Sequence, residues 1–164
     1  MTQPNPTDVR RTCLNLIAAT SVCYLTTLDA DGFPHTTALG NLRYAKEFPS
    51  LVEFQAEYDN DFTLFMSTDR HSEKVARIRT NPKASAYLCD PGQVVGFMIG
   101  GEIEIVEDQR LKNRLWQQEW TRFFPGGPQG PEYGIIKLVP RIVKGWCRTE
   151  SFVLTLSPKG DNRV

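Results

Sequence analysis

DFTLFMSTDRHSEKVARIRTNPKASAYLCD (Asp61–Asp90) holds two strands and the helix between them, and it is unusually rich in hydroxyls and bases. DFTLFMS (Asp61–Ser67) and ASAYLCD (Ala84–Asp90) are runs of apolar and β-branched residues of strand length. Between them Ser72 stands where a helix cap would, Lys74 falls in the first turn, and Pro82 stops the helix just beyond Asn81. A helix start offers unpaired backbone N–H groups and a positive dipole end, which suit a phosphate. Ser67 and Thr68 add hydroxyls and Lys74 a full charge. From Asp69 to Lys83, Arg70, Lys74, Arg77, Arg79 and Lys83 outweigh Asp69 and Glu73. The same spacing also describes an ordinary capped surface helix with solvated charges, which spacing alone favours.

Outward from this stretch the chain stays rich in strands. SVCYLTTL (Ser21–Leu28), the turn DADG and PHTTALGN (Pro34–Asn41) read as a hairpin. VVGFMIGGEIEIVE (Val94–Glu107) is a long strand whose glycines at 96, 100 and 101 suggest a bulge or a close approach of backbone. Glu102 and Glu104 alternate along it toward solvent. IIKLVP (Ile135–Pro140) and SFVLTLS (Ser151–Ser157) complete the strands. Thr7 caps a first helix with Val9, Cys13, Leu16 and Ile17 on one face. Asp108 caps another, reaching about Phe123 and carrying Leu111, Leu115, Trp116 and Trp120 toward the barrel, with Trp116 and Phe124 available for a subunit contact. FPGGPQGPEYG (Phe124–Gly134) is a shaped loop. Six or seven strands with three helices predict a small β-barrel with helices at its edges.

Composition narrows the function classes. At 164 residues the chain reads as a single domain over 1–164, with 1–6 and 158–164 as flexible tails. Nineteen bases balance nineteen acids, so no global field recruits nucleic acid or anionic lipid. No run approaches a membrane span, and MTQPNPTD lacks the pattern of a signal peptide. Cys13, Cys23, Cys89 and Cys147 form no CxxC pair, which fits reduced thiols in the cytoplasm. His35 and His71 lack neighbours at zinc spacing, so no metal site is expected. His71 could contact a bound phosphate or simply be solvated. There is no G-x-S-x-G elbow or P-loop, and no general acid or base announces itself.

Taken in order, TLDADGFPHTTAL, FMSTDRHSEKVARIRTNPKASAYL and IGGEIEIVED resemble the FMN-binding split barrel of the pyridoxamine 5′-phosphate oxidase superfamily. LWQQEWTRFFPGGPQGPEYGIIKLVP followed by GW is similar to its general-stress-protein branch. The resemblance runs from roughly Val9 to Trp146. It implies a mainly β (α+β) fold, a six-stranded antiparallel split β-barrel with flanking helices. It also implies a homodimer holding FMN at the subunit interface. The residues implied to bind the cofactor are Thr37, Ala38, Ser67, Thr68, Ser72, Lys74 and Trp146. Thr37 replaces the family's strand arginine, and Glu73 stands where a base often precedes Lys74. Both departures remove positive charge. The oxidases' substrate-binding R-L-H-D-R run is CRTESFVL here, which argues against pyridoxamine phosphate as substrate. An oxidoreductase of unknown substrate is therefore expected. The alternatives are a non-catalytic flavin-binding stress-response protein, or a barrel holding another flat cofactor such as haem or a deazaflavin.

Overall fold

The computed structural model describes residues 5–157, so the expected tails at 1–4 and 158–164 lie outside the described residues. Helix α1 (Pro6–Ala19) starts two residues earlier than a Thr7 cap would place it, because Asn5 is the cap and its side chain accepts the N–H of Thr7. Asn5 and Pro6 thus belong to the helix start and not to a tail. Then come β1 (Val22–Leu28), β2 (Pro34–Gly40), α2 (Val52–Ala56), β3 (Leu64–Asp69), α3 (Glu73–Thr80), β4 (Lys83–Asp90) and β5 (Val95–Val106). α4 (Gln109–Leu115), β6 (Tyr133–Cys147) and β7 (Glu150–Thr155) complete the order.

The strands form one antiparallel sheet, β2-β1-β4-β5-β6-β3, and β7 adds to β6 as a seventh strand beyond the six expected. β6 can serve both because it is long. Its first half pairs with β3 (Thr68 opposite Gly134) and its second half with β7 (Trp146 opposite Ser151). The sequence reading ends this strand at Pro140, yet β6 runs through that proline to Cys147. The register against β5 shifts between Gly100 and Gly101, where Pro140 and Ile142 are the partners and Arg141 is the extra residue. That bulge gives a proline a place inside a paired strand.

The sheet curls without closing. Its two ends, β2 and β3, meet through one backbone hydrogen bond among the described residues, from Leu42 N–H to Phe65 O at 3.1 Å. Alternation along the strands divides the core in two. Leu64, Met66, Ile136 and Leu138 point into the barrel with Cys23, Leu25, Phe97 and Ile99, under α1. Phe65, Tyr133 and Ile135 point the other way, into a second cluster with Leu42, Phe54, Leu115 and Phe124.

The expected long helix after Asp108 breaks at Trp116, whose ψ of 137° is extended, and a short 3-10 turn (Gln118–Arg122) follows. The break lets Trp116 and Trp120 both reach Tyr133, at ring separations of 4.9 and 6.0 Å. Phe124 is buried in this second cluster and Trp116 packs half-buried against it. The segment after β2 carries no periodic signal in the sequence. Arg43 organises it, buried and donating to the carbonyls of Tyr58, Asp61 and Thr63.

Candidate functional site

α3 begins with an open end. Ser72 occupies the cap position with extended backbone, as the sequence suggests, but its hydroxyl turns back to donate to Asp69 O at 2.7 Å. No side chain caps the helix, and the N–H groups of Glu73 and Lys74 have no acceptor among the described residues. Asp69 shapes the turn that leads there. Its carboxylate accepts the N–H of His71 at 2.8 Å and its carbonyl that of Ser72.

Lys74 lies beside this end. Its ammonium donates to the hydroxyl of Thr68 at 3.2 Å, and no carboxylate among the described residues comes within ion-pair distance. Desolvation lowers the Lys74 pKa; Asp69 partly offsets this and Arg77 adds to it. The other local bases are mostly engaged or exposed. Arg70 makes two bonds to Glu107, at 2.8 and 3.0 Å, while Arg79 and Lys83 face solvent. Arg77 is engaged from within, its Nη1 also reaching Glu73 at 3.4 Å. Its side chain is only 15% exposed, and its Nε donates to the buried Thr27 hydroxyl at 3.0 Å.

Thr68 and Lys74 are thus brought together, with Ser72 one turn away. Ser67 lies on the opposite face of β3 from Thr68, as adjacent strand residues must. Thr37 and Ala38 sit on β2 opposite Leu25 and Tyr24, so Thr37 faces inward and Ala38 outward. β2 borders β1 by its ladder and β3 at the open seam, so Thr37 lies on the strand between those of Thr27 and Thr68.

Trp146 stands apart from this group. It lies on the outer sheet face, 37% exposed, which removes the core-residue explanation for it. Gly96 is its partner on β5, and a Cβ there would come within 2.8 Å of the indole and 2.4 Å of Tyr87 Oη. Tyr24 lies opposite Tyr87, and with Trp146 and Val153 they make this face open and rich in large apolar side chains, with exposed Lys144 between Trp146 and Val153. Sequence reasoning missed Tyr24, Tyr87, Thr27 and Arg77. The tyrosines were legible as the outward positions of β1 and β4, and Arg77 as the residue one turn beyond Lys74. The Thr27 contact spans fifty residues and had no local signal.

Other chemistry is limited. Burial pushes the thiols of Cys13 and Cys23 up to about 12, which leaves them inert at neutral pH. His35 Nε2 is bonded to Asp29 at 3.0 Å, and His71 is exposed beside Asp69. No group of three metal-ligating side chains occurs among the described residues. No helix among the described residues is long and apolar enough to cross a membrane.

Comparison with known proteins accords with this architecture. The family model described as pyridoxamine 5′-phosphate oxidase matches residues 10–147. A Clostridium acetobutylicum protein related to general stress protein 26 of B. subtilis superposes with a TM-score of 0.73 at 20% identity, covering 92% of this chain and 96% of that one. General Stress Protein 26 from Bacillus anthracis gives 0.68 at 24% identity, over 90% and 98% of the two chains. A heme binding protein from Mycobacterium smegmatis gives 0.63 at 15% identity, over 94% of this chain and 60% of that one. No curated protein matches the sequence.

Proposed function

Because the chain belongs to the pyridoxamine 5′-phosphate oxidase family, we propose that it is a cytoplasmic FMN-binding flavoprotein, a homodimeric oxidoreductase whose substrate is not pyridoxamine phosphate. The observation that carries this reading is the uncapped start of α3. Two free backbone N–H groups and a half-buried ammonium without a carboxylate partner converge beside the hydroxyl of Thr68. That donor set suits a phosphate monoester: among the described residues the two N–H groups have no acceptor, and the ammonium has only the Thr68 hydroxyl. Lys74, Thr68 and the α3 start would hold the phosphate, and Trp146 would border the ring. Bound FMN would supply electron or hydride transfer, while the protein supplies binding and orientation.

The distance between these groups supports a site shared by two copies. Thr68 is opposite Gly134 on β6, and Trp146 lies twelve residues farther along the same strand. That is roughly 40 Å of strand contour at about 3.3 Å per residue. A single ligand meets both kinds of group most directly when Trp146 comes from a second copy.

The visible spectrum of the freshly purified protein is the test. Flavin bands released as FMN on denaturation support the reading, and a colourless protein that fails to bind added FMN overturns it. A Soret band would favour haem, for which the Mycobacterium smegmatis neighbour is the precedent. If flavin is present, its reduction by NAD(P)H separates a catalyst from a storage or sensing protein.

A further inference from the structure

We infer that Arg77 is a second cationic arm of the anion subsite at the start of α3, held in place by Thr27; this rests on the reading of that subsite given above. Lys74 and Arg77 are three residues apart on one helix face, and each leans on a threonine of a different strand. Lys74 reaches Thr68 on β3, and Arg77 reaches Thr27 on β1. β2 runs between those strands and presents the Thr37 side chain inward. The two cations therefore flank the strand on which Thr37 sits.

Their charges are poorly compensated within the chain. The carboxylate bonded to Arg77 is Glu73, at 3.4 Å with a side chain 94% exposed, so solvent screens it strongly. Arg77 Nη2 donates to no acceptor among the described residues, and Lys74 Nζ makes a single hydrogen bond. The half-buried Lys74 and the mostly buried Arg77 are close enough for Arg77 to disfavour the Lys74 ammonium, and an anion between them relieves that repulsion. Thr27 is 1% exposed and fixes the guanidinium through Nε, which leaves the Nη2 side of the fork free. A phosphate dianion, with more oxygens than Lys74 and the helix end engage, is the chemistry that fits.

The test is titration of FMN and riboflavin into the full-length wild type, Arg77→Gln, Arg77→Lys and Thr27→Val. Arg77→Gln should weaken FMN about ten- to a hundredfold, the loss of one charge-assisted bond. Riboflavin, which lacks the phosphate, should be unaffected. Arg77→Lys should recover part of the loss, and Thr27→Val should weaken FMN while leaving riboflavin alone. The slope of log affinity against log salt should also be shallower in Arg77→Gln, because one fewer charge is neutralised. Equal losses for both flavins, or an FMN affinity unchanged in Arg77→Gln, overturn the inference. If the wild type binds neither flavin, the FMN reading fails and inorganic pyrophosphate becomes the probe. A thermal shift in the wild type that disappears in Arg77→Gln would still support the arm, and no shift in the wild type would overturn it as well.

Discussion

Lys74 makes the phosphate assignment measurable by substitution and by titration. A charge-assisted hydrogen bond contributes roughly 1.5–3 kcal/mol. Lys74→Ala is therefore expected to weaken FMN by about one to two orders of magnitude, at ~1.4 kcal/mol per decade, and to leave riboflavin nearly unchanged. Equal weakening of both flavins would show that Lys74 acts through the fold. Burial lowers the pKa of Lys74 in the unliganded protein. The folded state then binds fewer protons there than the unfolded chain, so stability rises as pH climbs through the folded pKa toward the ordinary value of 10.5. A bound dianion favours the ammonium and reverses this. FMN binding should take up protons as pH rises through the lowered Lys74 pKa toward 10.5, seen by calorimetry in two buffers of different ionisation enthalpy, and Lys74→Ala should abolish the uptake. Of this site, the sequence shows Thr68 and Lys74 because they sit within one short stretch, while its other hydroxyl, Ser67, points to the opposite face of β3. It is silent on Ser72 turning back to Asp69 and on Thr27 holding Arg77, since a hydroxyl's partner is chosen by tertiary geometry.

At the scale of elements, two glycines of β5 face β6 with different consequences. A Cβ on Gly101 would lie 2.0 Å from Val139 O, at the bulge that admits Pro140. Gly101→Ala must move backbone and should destabilise by about 3 kcal/mol, read as a lower urea midpoint. Gly96→Ala meets only the ends of Tyr87 and Trp146, both on the surface. It should leave the midpoint nearly unchanged while altering tryptophan fluorescence. The strands were legible because β-branched and aromatic runs alternate, and the Gly100–Gly101 bulge because paired glycines mark such places. The length of β6 was hidden by the same proline signal that normally ends a strand. Helix α4 is a comparable case. Its apolar spacing continues past Leu115, and only packing against Tyr133 breaks it.

For the whole molecule, the open apolar surface is the outer sheet face bearing Tyr24, Tyr87, Trp146 and Val153. In the aromatic helix region that first suggests a partner, Trp116, Trp120 and Phe124 pack against Phe48 and Tyr133, while Phe123 stays 61% exposed. Dimerisation, if it builds the cofactor site, should therefore run through this sheet face. Tyr87→Asp should give a folded monomer by sedimentation at micromolar concentration and lose FMN with it. A Tyr87→Asp protein that stays dimeric would move the interface elsewhere. Strand order was not legible, because β3 pairs with a strand more than sixty residues later and no local pattern carries that choice.

The seam between β2 and β3 gives the molecule a slow and a fast side. A single backbone bond, Leu42 to Phe65, joins the two edges there, while β5 is paired along both of its sides. Openings confined to the seam break little structure, so the Leu42 amide should exchange with deuterated solvent far sooner than the amide of Ile99. α3 straddles that seam, touching β3 through Lys74 and β1 through Arg77. An anion gripped by both would act as a clasp across the slit. Its presence should be readable as a delay in Leu42 exchange, with the Ile99 rate left as it was.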